Sequence, residues 1–494
     1  MKTIGIDLGS SSVKVSMLDC ESGNCIGSLT LPEKEMTIES PKEGWAEQDP
    51  ALWWRYIKDG IKKLTREVNK EEIAALGITY QMHGLVCLNS DGEVLRKSII
   101  WCDSRAVEIG AKATEAIGAE ICLEKMLNYP GNFTASKLAW VKENEAELYS
   151  QIDKFMLPGD YILYKLSGEK STTMSGLSEQ ILWDFSEEGI SEAVTKYYGI
   201  GTNLIPNTKD SIGVQASISA EIAKELGLKE GTPITYRAGD QPNNAFSLNV
   251  MEPGEIAATG GTSGVVYGIT NLPKADLKSR VNTFLHVNHS KKDPKYGVLL
   301  CINGTGILNA WCKRLMGGDL SYAQINELCE SVPAGSDGVT ILPFGNGAER
   351  MLENRYTGTC ISNINLNRHD KAHLLRAAQE GIAFAFKYGI DIMKEVGLNP
   401  QLIRAGHANL FLSPLFRETL STICNASIEL YDTDGALGAA RGAALGAGIY
   451  KNREEAFENL KKIETIAPNP KLKETLNLRY EEWKKELENK LHTK

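Results

Sequence analysis

The sequence predicts an α/β protein with two domains of related topology, and three observations lead to that prediction. At 494 residues, the chain is longer than the size at which one hydrophobic core stops growing. Strand-like and helical segments alternate along it, which is the pattern of an α/β fold. A strand–turn–strand segment at residues 4–15 has an echo at residues 256–267, half a chain further on. We therefore expect an internal duplication, with the domain boundary near residues 242–253.

Composition and charge restrict the class of protein. The chain is 42% hydrophobic and 24% charged, as is typical of soluble globular proteins. Its net charge of −9 argues against a general nucleic-acid binder, which needs a basic face. The N-terminus enters a strand pattern at once, and no stretch reaches the roughly 20 apolar residues of a membrane span. We expect a cytoplasmic protein that binds neither nucleic acid nor a membrane.

The first half of the chain reads as a meander followed by mixed elements. Alternation at period two predicts a hairpin from residue 4 to residue 17 and a third strand at 25–31. Asp49 and Pro50 mark the start of a helix that is expected to reach residue 68. The further strands are expected at 72–79, 86–88 and 99–101, and the region 107–182 is expected to be mainly helical.

The second half repeats the strand–turn–strand theme. A strand at 233–238 leads to a helix that is predicted to begin at Pro242. The remaining strands are expected at 255–259, 265–269, 403–405 and 428–430. The remaining helices are expected at 373–396, 413–424 and 436–449, with a final helix whose apolar stripe is Leu472, Leu476, Tyr480, Trp483 and Leu487.

Two matched turns rich in Gly, Ser and Thr form the first candidate binding site. The first contains Gly9, Ser10 and Ser11, and the second contains Gly261 and Thr262. The N–H groups and hydroxyls of such turns can surround phosphate oxygens, and Gly allows close backbone approach. Each turn alone could be an ordinary hairpin turn, whereas two copies in duplicated halves could hold a polyphosphate from both sides.

Two aspartates lie at informative positions. Asp7 precedes the first turn, where the second copy has Thr259, and one carboxylate beside a polyphosphate suits Mg²⁺ bound through its water shell. Asp240 lies between an apolar strand and a helix, where α/β proteins place ligands. It could accept a hydroxyl proton during phosphoryl transfer, or it could simply cap the helix. No P-loop motif and no protein-kinase motif accompanies them.

Polar residues follow two further strands. Gln81, Met82 and His83 combine an amide, a soft apolar surface and an imidazole, a mixture that suits a polyol. Asp103 and Arg105 form a second cluster, which could equally be a surface ion pair. Taken alone, His83 could also be a hydrogen-bonded core residue.

Taken together, these residues resemble the FGGY family of carbohydrate kinases over essentially the whole chain. The first phosphate loop, the catalytic aspartate motif and the second phosphate loop of that family all have counterparts here. The segments that carry the resemblance are 5–14 (GIDLGSSSVK), 44–50 (GWAEQDP), 81–84 (QMHG), 101–105 (WCDSR), 134–144 (TASKLAWVKEN), 239–241 (GDQ), 260–264 (GGTSG) and 435–438 (GALG).

The resemblance implies the two-domain sugar-kinase or actin-like fold, related to ribonuclease H, with a cleft between the domains. Residues 1–246 would form an N-terminal domain that binds the sugar and carries the first phosphate loop, and residues 247–494 a C-terminal nucleotide-binding domain. The implied reaction is ATP-dependent phosphorylation of D-xylulose at its 5-hydroxyl. The alternatives are a kinase for another ketopentose or a polyol, and a non-catalytic regulatory protein that binds sugar and ATP.

The resemblance also implies roles for the candidate residues. Asp240 would be the general base and Asp7 would position Mg²⁺. The implied sugar contacts are Gln81, Met82, His83, Asp103, Asp240 and Gln241. The implied nucleotide contacts are Gly9, Ser10, Ser11, Lys14, Gly261, Thr262, Gly304, Gly406, Ala408 and Asn409. A homodimer is expected on the same ground.

Overall fold

The computed structural model describes residues 1–492, and the chain divides into two compact units built from discontinuous segments. Unit 1 contains residues 1–251, 284–296 and 433–460. Unit 2 contains residues 252–283, 297–432 and the described residues from 461 onward. Each unit is organised around one large mixed β-sheet.

The strands are β1 (Lys2–Leu8), β2 (Val13–Asp19), β3 (Cys25–Leu31), β4 (Glu47–Gln48), β5 (Ile73–Tyr80), β6 (Val86–Leu88), β7 (Ser98–Ile99), β8 (Lys154–Met156), β9 (Ser171–Thr173), β10 (Trp183–Asp184), β11 (Gly189–Ile190), β12 (Asn207–Lys209), β13 (Ile212–Ser217), β14 (Pro233–Gly239), β15 (Ile256–Gly260), β16 (Gly264–Thr270), β17 (Asn282–Leu285), β18 (Tyr296–Ile302), β19 (Thr340–Phe344), β20 (Gly358–Ser362), β21 (Leu402–Gly406), β22 (Ser427–Tyr431) and β23 (Lys462–Ile466).

The α-helices are α1 (Pro50–Thr65), α2 (Val107–Ile117), α3 (Ala119–Lys125), α4 (Thr134–Asn144), α5 (Ala146–Tyr149), α6 (Pro158–Ser167), α7 (Met174–Glu179), α8 (Glu192–Tyr198), α9 (Ala220–Leu226), α10 (Asp240–Ser247), α11 (Gly306–Cys312), α12 (Tyr322–Glu330), α13 (Lys371–Glu395), α14 (Pro414–Cys424), α15 (Gly435–Gly446), α16 (Arg453–Phe457) and α17 (Lys473–His492).

The sheet of unit 1 has the order β13-β14-β5-β1-β2-β3. The meander β1-β2-β3 is antiparallel, whereas β1, β5 and β14 run parallel to one another. Helix α15 covers the centre of this sheet at very short range. A Cβ atom added to Gly5 would lie 1.8 Å from the Ala436 carbonyl oxygen, and one added to Gly77 would lie 2.1 Å from that of Ala439. Glycine in the strands and alanine in the helix therefore allow this contact.

The sheet of unit 2 has the order β17-β18-β16-β15-β21-β22-β23. Strands β15 and β16 form an antiparallel hairpin, whereas β15, β21 and β22 run parallel. The long helix α13 supplies Ile382 and Phe386, both fully buried, to the core of this unit. Trp483 of α17 is also buried, and its Nε1 donates to the Ile341 carbonyl oxygen at 2.9 Å.

The two sheets share a topology. In each, an antiparallel hairpin lies beside two parallel strands, β5 and β14 in unit 1 and β21 and β22 in unit 2. In each, an antiparallel strand borders the last of them, β13 in the first case and β23 in the second. The strand–turn–strand echo between residues 4–15 and 256–267 is confirmed as a pair of equivalent hairpins.

Several predicted element boundaries are wrong by a few residues, and one of them is the end of the helix expected at 436–449, which lies at Gly446. The helix expected from Pro242 begins at Asp240, because β14 ends at Gly239 and the chain turns into the helix at once. Strand β7 ends at Ile99, so Trp101 lies in a turn and is 53% exposed. The helix expected to reach residue 68 ends at Thr65, although its start is as predicted, with Asp49 accepting from the Ala51 N–H. Among residues 1–492, no helix has the length and apolarity needed to cross a bilayer.

Candidate active site

Three aspartates of unit 1 interact electrostatically at the ends of its elements. Asp7 is the second-last residue of β1, and Asp240 is the first residue of α10, directly after β14. Asp434 caps α15, where its Oδ1 accepts from the Leu437 N–H at 2.9 Å. Its Oδ2 accepts from Nζ of Lys14 at 2.5 Å. Lys14 had been expected to contact nucleotide, and here its ammonium is paired with this carboxylate.

The pKa values of two of these aspartates lie close to neutrality. Burial raises the pKa of Asp7 to about 7; the charges of Asp240 and Asp434 add to this increase, and Lys14 opposes it. Burial also raises the pKa of Asp240 to about 6, against hydrogen bonds from Gln241. A carboxylate whose pKa is near the working pH is suited to proton transfer.

A glycine allows α15 to begin against Asp7. A Cβ atom added to Gly435 would lie 2.3 Å from Oδ2 of Asp7, so a larger residue would displace the carboxylate or the helix. Asn243 of α10 donates from Nδ2 to the Gly435 carbonyl oxygen at 2.9 Å. The two helices are thereby joined beside the aspartates.

The carbonyl oxygens of the turn between β1 and β2 accept hydrogen bonds that fix the conformation of the turn. The Gly9 N–H donates to the Ser12 carbonyl oxygen at 3.0 Å, which closes the turn. The Ser10 carbonyl oxygen accepts from Nε2 of Gln48 at 2.7 Å, and that of Ser11 accepts from the Met36 N–H at 2.7 Å. The turn is therefore preorganised by residues outside it.

Gln48 connects this turn to the loop at residues 81–84. Its Oε1 accepts from Nε2 of Gln81 at 3.1 Å and from Nε1 of Trp53 at the same distance. Oε1 of Gln81 is buried and has no hydrogen-bond partner in the structure. A buried acceptor without a partner is costly unless a ligand satisfies it, so Gln81 is suited to receive a hydroxyl.

The next residues of the loop are fixed by two buried side chains. His83 has a φ of 61°, and its N–H donates to Oε1 of Glu179 at 3.4 Å. The His83 carbonyl oxygen accepts from Nζ of Lys137 at 2.7 Å. Burial lowers the pKa of Lys137 to about 7. Met82 is 5% exposed, and its Cγ would lie 2.5 Å from a Cβ atom added to Gly239. Met82 therefore packs directly beside the residue that precedes Asp240.

Asp103 has a different environment from the other predicted sugar contacts. Its carboxylate is fully buried, accepts from the Ala46 N–H at 2.6 Å and pairs with Nη2 of Arg105 at 2.7 Å. The guanidinium of Arg105 lies 3.7 Å from the ring centre of Trp45. The ion pair weighed from the sequence is formed, but in the interior rather than at the surface. The contacts with the Ala46 N–H and with Nη2 of Arg105 are both to Oδ2, and the Arg105 backbone N–H donates to Oδ1 at 2.9 Å, so both oxygens of Asp103 are occupied.

In unit 2 the second Gly-Thr turn is joined to the start of α11. The Gly261 and Thr262 carbonyl oxygens accept from the Gly306 and Ile307 N–H groups at 3.1 and 3.0 Å. A Cβ atom added to Gly306 would lie 2.1 Å from the Gly261 carbonyl oxygen. Nearby, the Gly304 N–H donates to Oε1 of Glu349 at 2.9 Å. Burial raises the pKa of Glu349 to about 7.

A cavity of about 540 Å³ adjoins this turn within unit 2. Gly261, Thr262 and Asn409 line it, as do Asn326 and Arg314, which sequence analysis did not identify. The other predicted nucleotide contacts of this unit, Gly304, Gly406 and Ala408, are not among its lining residues. The volume is within the range of small-molecule sites.

Asn326 has a defined orientation at the wall of this cavity. Its Oδ1 accepts from Nε2 of Gln379 at 3.0 Å and from Oγ of Ser413 at 3.2 Å. Because the oxygen is occupied in this way, the amide nitrogen is the group that remains to donate to a ligand.

Sequence reasoning missed several of the residues that shape the site. Asp434 could have been noticed as an N-cap in front of the Gly-Ala-Leu-Gly helix start. Glu179, Lys137 and Asn326 lie far along the chain from the residues that they contact. No local pattern singles out Glu179 or Asn326, and Lys137 was noticed only as part of a family-like segment.

These features are those of a two-unit α/β carbohydrate kinase, and comparisons with known proteins agree. The model of the FGGY family of carbohydrate kinases, N-terminal domain, matches residues 2–247. The corresponding C-terminal domain matches residues 256–449. The chain therefore belongs to the FGGY family of carbohydrate kinases and is a phosphotransferase. The family resemblance and the α/β fold class expected from the sequence are confirmed.

Similar proteins include several bacterial xylulose kinases. The xylulose kinase of Bacillus subtilis is 29% identical over 92% of this chain and 90% of its own length. That of Escherichia coli is 28% identical over 92% of both chains. The crystal structure of xylulose kinase from Rhodospirillum rubrum matches with a TM-score of 0.90 at 24% identity, over 100% of this chain and 99% of that one.

Proposed function

We propose that this chain catalyses ATP-dependent phosphorylation of D-xylulose at its 5-hydroxyl, giving D-xylulose 5-phosphate. The observation that carries the proposal is the packing of Met82, of the polyol-type loop, against Gly239, the residue before Asp240. A carboxylate with a pKa of about 6 thus lies beside a loop suited to a polyol. Similarity to xylulose kinases over about nine-tenths of both chains supports D-xylulose as the sugar.

Asp240 accepts the proton of the attacking hydroxyl in this proposal. Phosphoryl transfer depends mainly on in-line alignment and charge neutralisation, so the base need only orient the hydroxyl and take its proton late. Gln81 presents its unpartnered Oε1 to a sugar hydroxyl. Met82 and His83 form the apolar and polar sides of the sugar site, and Gln241 holds the Asp240 carboxylate. We assign Asp103 to fixing Arg105 and the Ala46 backbone, near the sugar loop, rather than to direct contact.

The residues around Asp7 fit a divalent cation. The pKa of Asp7 is raised by burial and by two neighbouring carboxylates, and a hard cation with its water shell relieves that repulsion. When bound, Mg²⁺ neutralises charge on the β- and γ-phosphates. Asp7 holds this cation in the proposal, and Lys14 balances Asp434 next to it.

The nucleotide is assigned to the two turns and to the cavity of unit 2. In unit 1, Gly9 allows close backbone approach, and the N–H groups and hydroxyls of Ser10 and Ser11 are assigned to phosphate oxygens. In unit 2, the turn at Gly261 and Thr262 is assigned to phosphate oxygens as well. Asn326 and Asn409 line the part of the cavity assigned to adenosine. Gly304, Gly406 and Ala408 shape the backbone around it. In this assignment, residues 1–246 bind the sugar and carry the first phosphate loop, and residues 247–494 bind the nucleotide. The expected form is a cytoplasmic homodimer.

The proposed function is tested by ADP release across a panel of sugars with Mg-ATP. The panel contains D-xylulose, D-ribulose, D-fructose, D-gluconate and glycerol, each supplied at the same concentration. We expect D-xylulose to give the highest kcat/KM. Faster turnover of another member would overturn the substrate but keep the kinase. A folded protein that binds ATP and turns over no member would favour a regulatory protein instead.

A further inference from the structure

Glu179 is a fully buried glutamate at the end of α7, in unit 1. Its carboxyl group lies next to the loop at residues 81–84 and next to Gly239, the strand residue before Asp240, and both segments are assigned to sugar binding. Its Oε1 accepts from the His83 N–H at 3.4 Å. Its Oε2 would lie 2.7 Å from a Cβ atom added to Gly239. One oxygen thus faces the loop at 81–84, and the other faces the strand end that carries Asp240.

We propose that Glu179 is a positioning residue that holds the loop at residues 81–84 against the strand end that carries Asp240. The inference rests on the proposed function and deepens it, because both segments are assigned to the sugar. The backbone of Glu179 contributes as well, since its carbonyl oxygen lies 2.9 Å from Nδ1 of His83. The two groups of one residue therefore fix both the main chain and the ring of His83.

The surroundings of Glu179 favour its neutral form. Burial is the largest effect that raises the pKa of Glu179, and the carboxyl groups of Asp160 on α6 and Asp240 on α10 raise it further. The His83 N–H and the Tyr80 hydroxyl on β5 favour the charged form to a smaller extent. As a result, the pKa of Glu179 is raised well above its usual range.

Two buried cations of unit 1, Arg237 and Lys137, have contacts with other groups. Arg237 on β14 pairs through Nε with Oδ1 of Asp160 at 3.3 Å. Lys137 on α4 donates to the His83 carbonyl oxygen, and its own pKa is lowered by burial to about 7. A second ionised carboxylate next to Asp240 would disfavour the charged form of the base. Neutrality at Glu179 therefore leaves Asp240 free to ionise near pH 6.

The test compares Glu179→Ala with Glu179→Gln. Removing the side chain frees the loop, so Glu179→Ala should raise KM for the sugar about tenfold, the equivalent of one hydrogen bond to a buried group, while KM for ATP stays the same. The amide of glutamine keeps both the acceptor and a donor of the neutral acid, so Glu179→Gln should restore most of the lost activity. Glu192→Gln, an exposed glutamate paired with Lys196, is the matched control and should behave as wild type.

Infrared spectroscopy gives a readout that does not depend on turnover. At pH 8 the wild type should show the carbonyl band of a protonated carboxylic acid, and Glu179→Gln should lack it. Loss of activity in Glu179→Gln as large as in Glu179→Ala, or an identical band in both spectra, would overturn the proposal. If Glu179→Ala does not fold, the activity of Glu179→Gln and the infrared carbonyl band still test the proposal. A wild type without sugar turnover would refute the proposed function, whereas the band would still report on Glu179.

Discussion

The candidate groups in the two units differ in kind. In unit 1 they are ionisable and buried: Asp7 and Asp240 have pKa values raised to about 7 and about 6, and Lys137 has one lowered to about 7. In unit 2 they are mainly amides, hydroxyls and backbone groups around a cavity of about 540 Å³. Groups that titrate near neutrality are suited to chemistry, and neutral donors are suited to binding. Changes to Asp7 and Asp240 in unit 1 should therefore lower turnover, and changes to the groups that line the cavity of unit 2 should raise KM.

The largest effect is expected from Asp240→Asn. The asparagine cannot accept the hydroxyl proton, so kcat should fall by about 10²- to 10⁴-fold, the usual contribution of a general base. Sugar affinity, measured by calorimetry, should stay close to that of the wild type because the side chain keeps its shape. A near-normal kcat in this variant would show that Asp240 is not the general base. It would also contradict the distinction between catalytic groups in unit 1 and binding groups in unit 2.

The second-largest effect on activity is expected from Asp7→Ala. Losing the carboxylate assigned to Mg²⁺ should lower kcat/KM for Mg-ATP about 10²-fold, since metal stabilisation of the transition state amounts to several kcal/mol. KM for the sugar should change less than about twofold. Asp59→Ala, at an exposed position of α1, serves as the control. A rise in the sugar KM without a change in the use of Mg-ATP would contradict the assignment.

The pH dependence sharpens the same contrast. Asp240 must be ionised to accept a proton, and its pKa is about 6, so activity is present above that pH and is lost as the pH falls through it. We expect kcat/KM for the sugar to fall about tenfold per pH unit below 6. The measurement is a pH profile of the wild type between pH 5 and pH 8. A profile that is flat from pH 7 down to pH 5 would exclude Asp240 as the base.

The smallest effect is expected in unit 2, from Asn326→Ala. Its amide nitrogen is the group left to donate into the cavity, so its loss should raise KM for ATP about fivefold, within the range of one hydrogen bond. kcat should stay within about twofold of the wild type, because uniform binding does not change the chemical step. A fall in kcat without a change in KM would place this residue in the chemistry and remove the distinction between the units.

Local patterns predicted the parts of the fold that depend on neighbours in sequence. The hairpins at residues 4–17 and 255–269 follow from alternation and turn residues, and the helix start after Asp49 follows from capping. The position of the Gly-Asp-Gln segment (residues 239–241) at a strand end was predictable, because the sequence there shows an apolar strand followed at once by a helix start.

The rest depends on contacts between distant segments. Asp434 comes close to Asp7 only because Gly5, Gly77 and Gly435 let α15 approach the sheet. Glu179 reaches His83 across 96 residues of chain, and Asn326 is oriented by Gln379 and Ser413. Asp103 follows a strand, as ligand-binding residues often do, but the fold pairs it with Arg105 in the interior. No pattern within a short window of sequence contains that information.

The central claim is that Asp240 accepts the proton of the D-xylulose 5-hydroxyl while that oxygen takes the γ-phosphoryl group of Mg-ATP and ADP leaves. It is tested most directly by measuring ADP release with D-xylulose and Mg-ATP varied together, for the wild type and Asp240→Asn in parallel. The account predicts saturable ADP release that requires the sugar in the wild type and is almost absent in the variant. ADP release at a rate that does not depend on the sugar concentration would contradict this claim, and so would equal rates in the wild type and in Asp240→Asn.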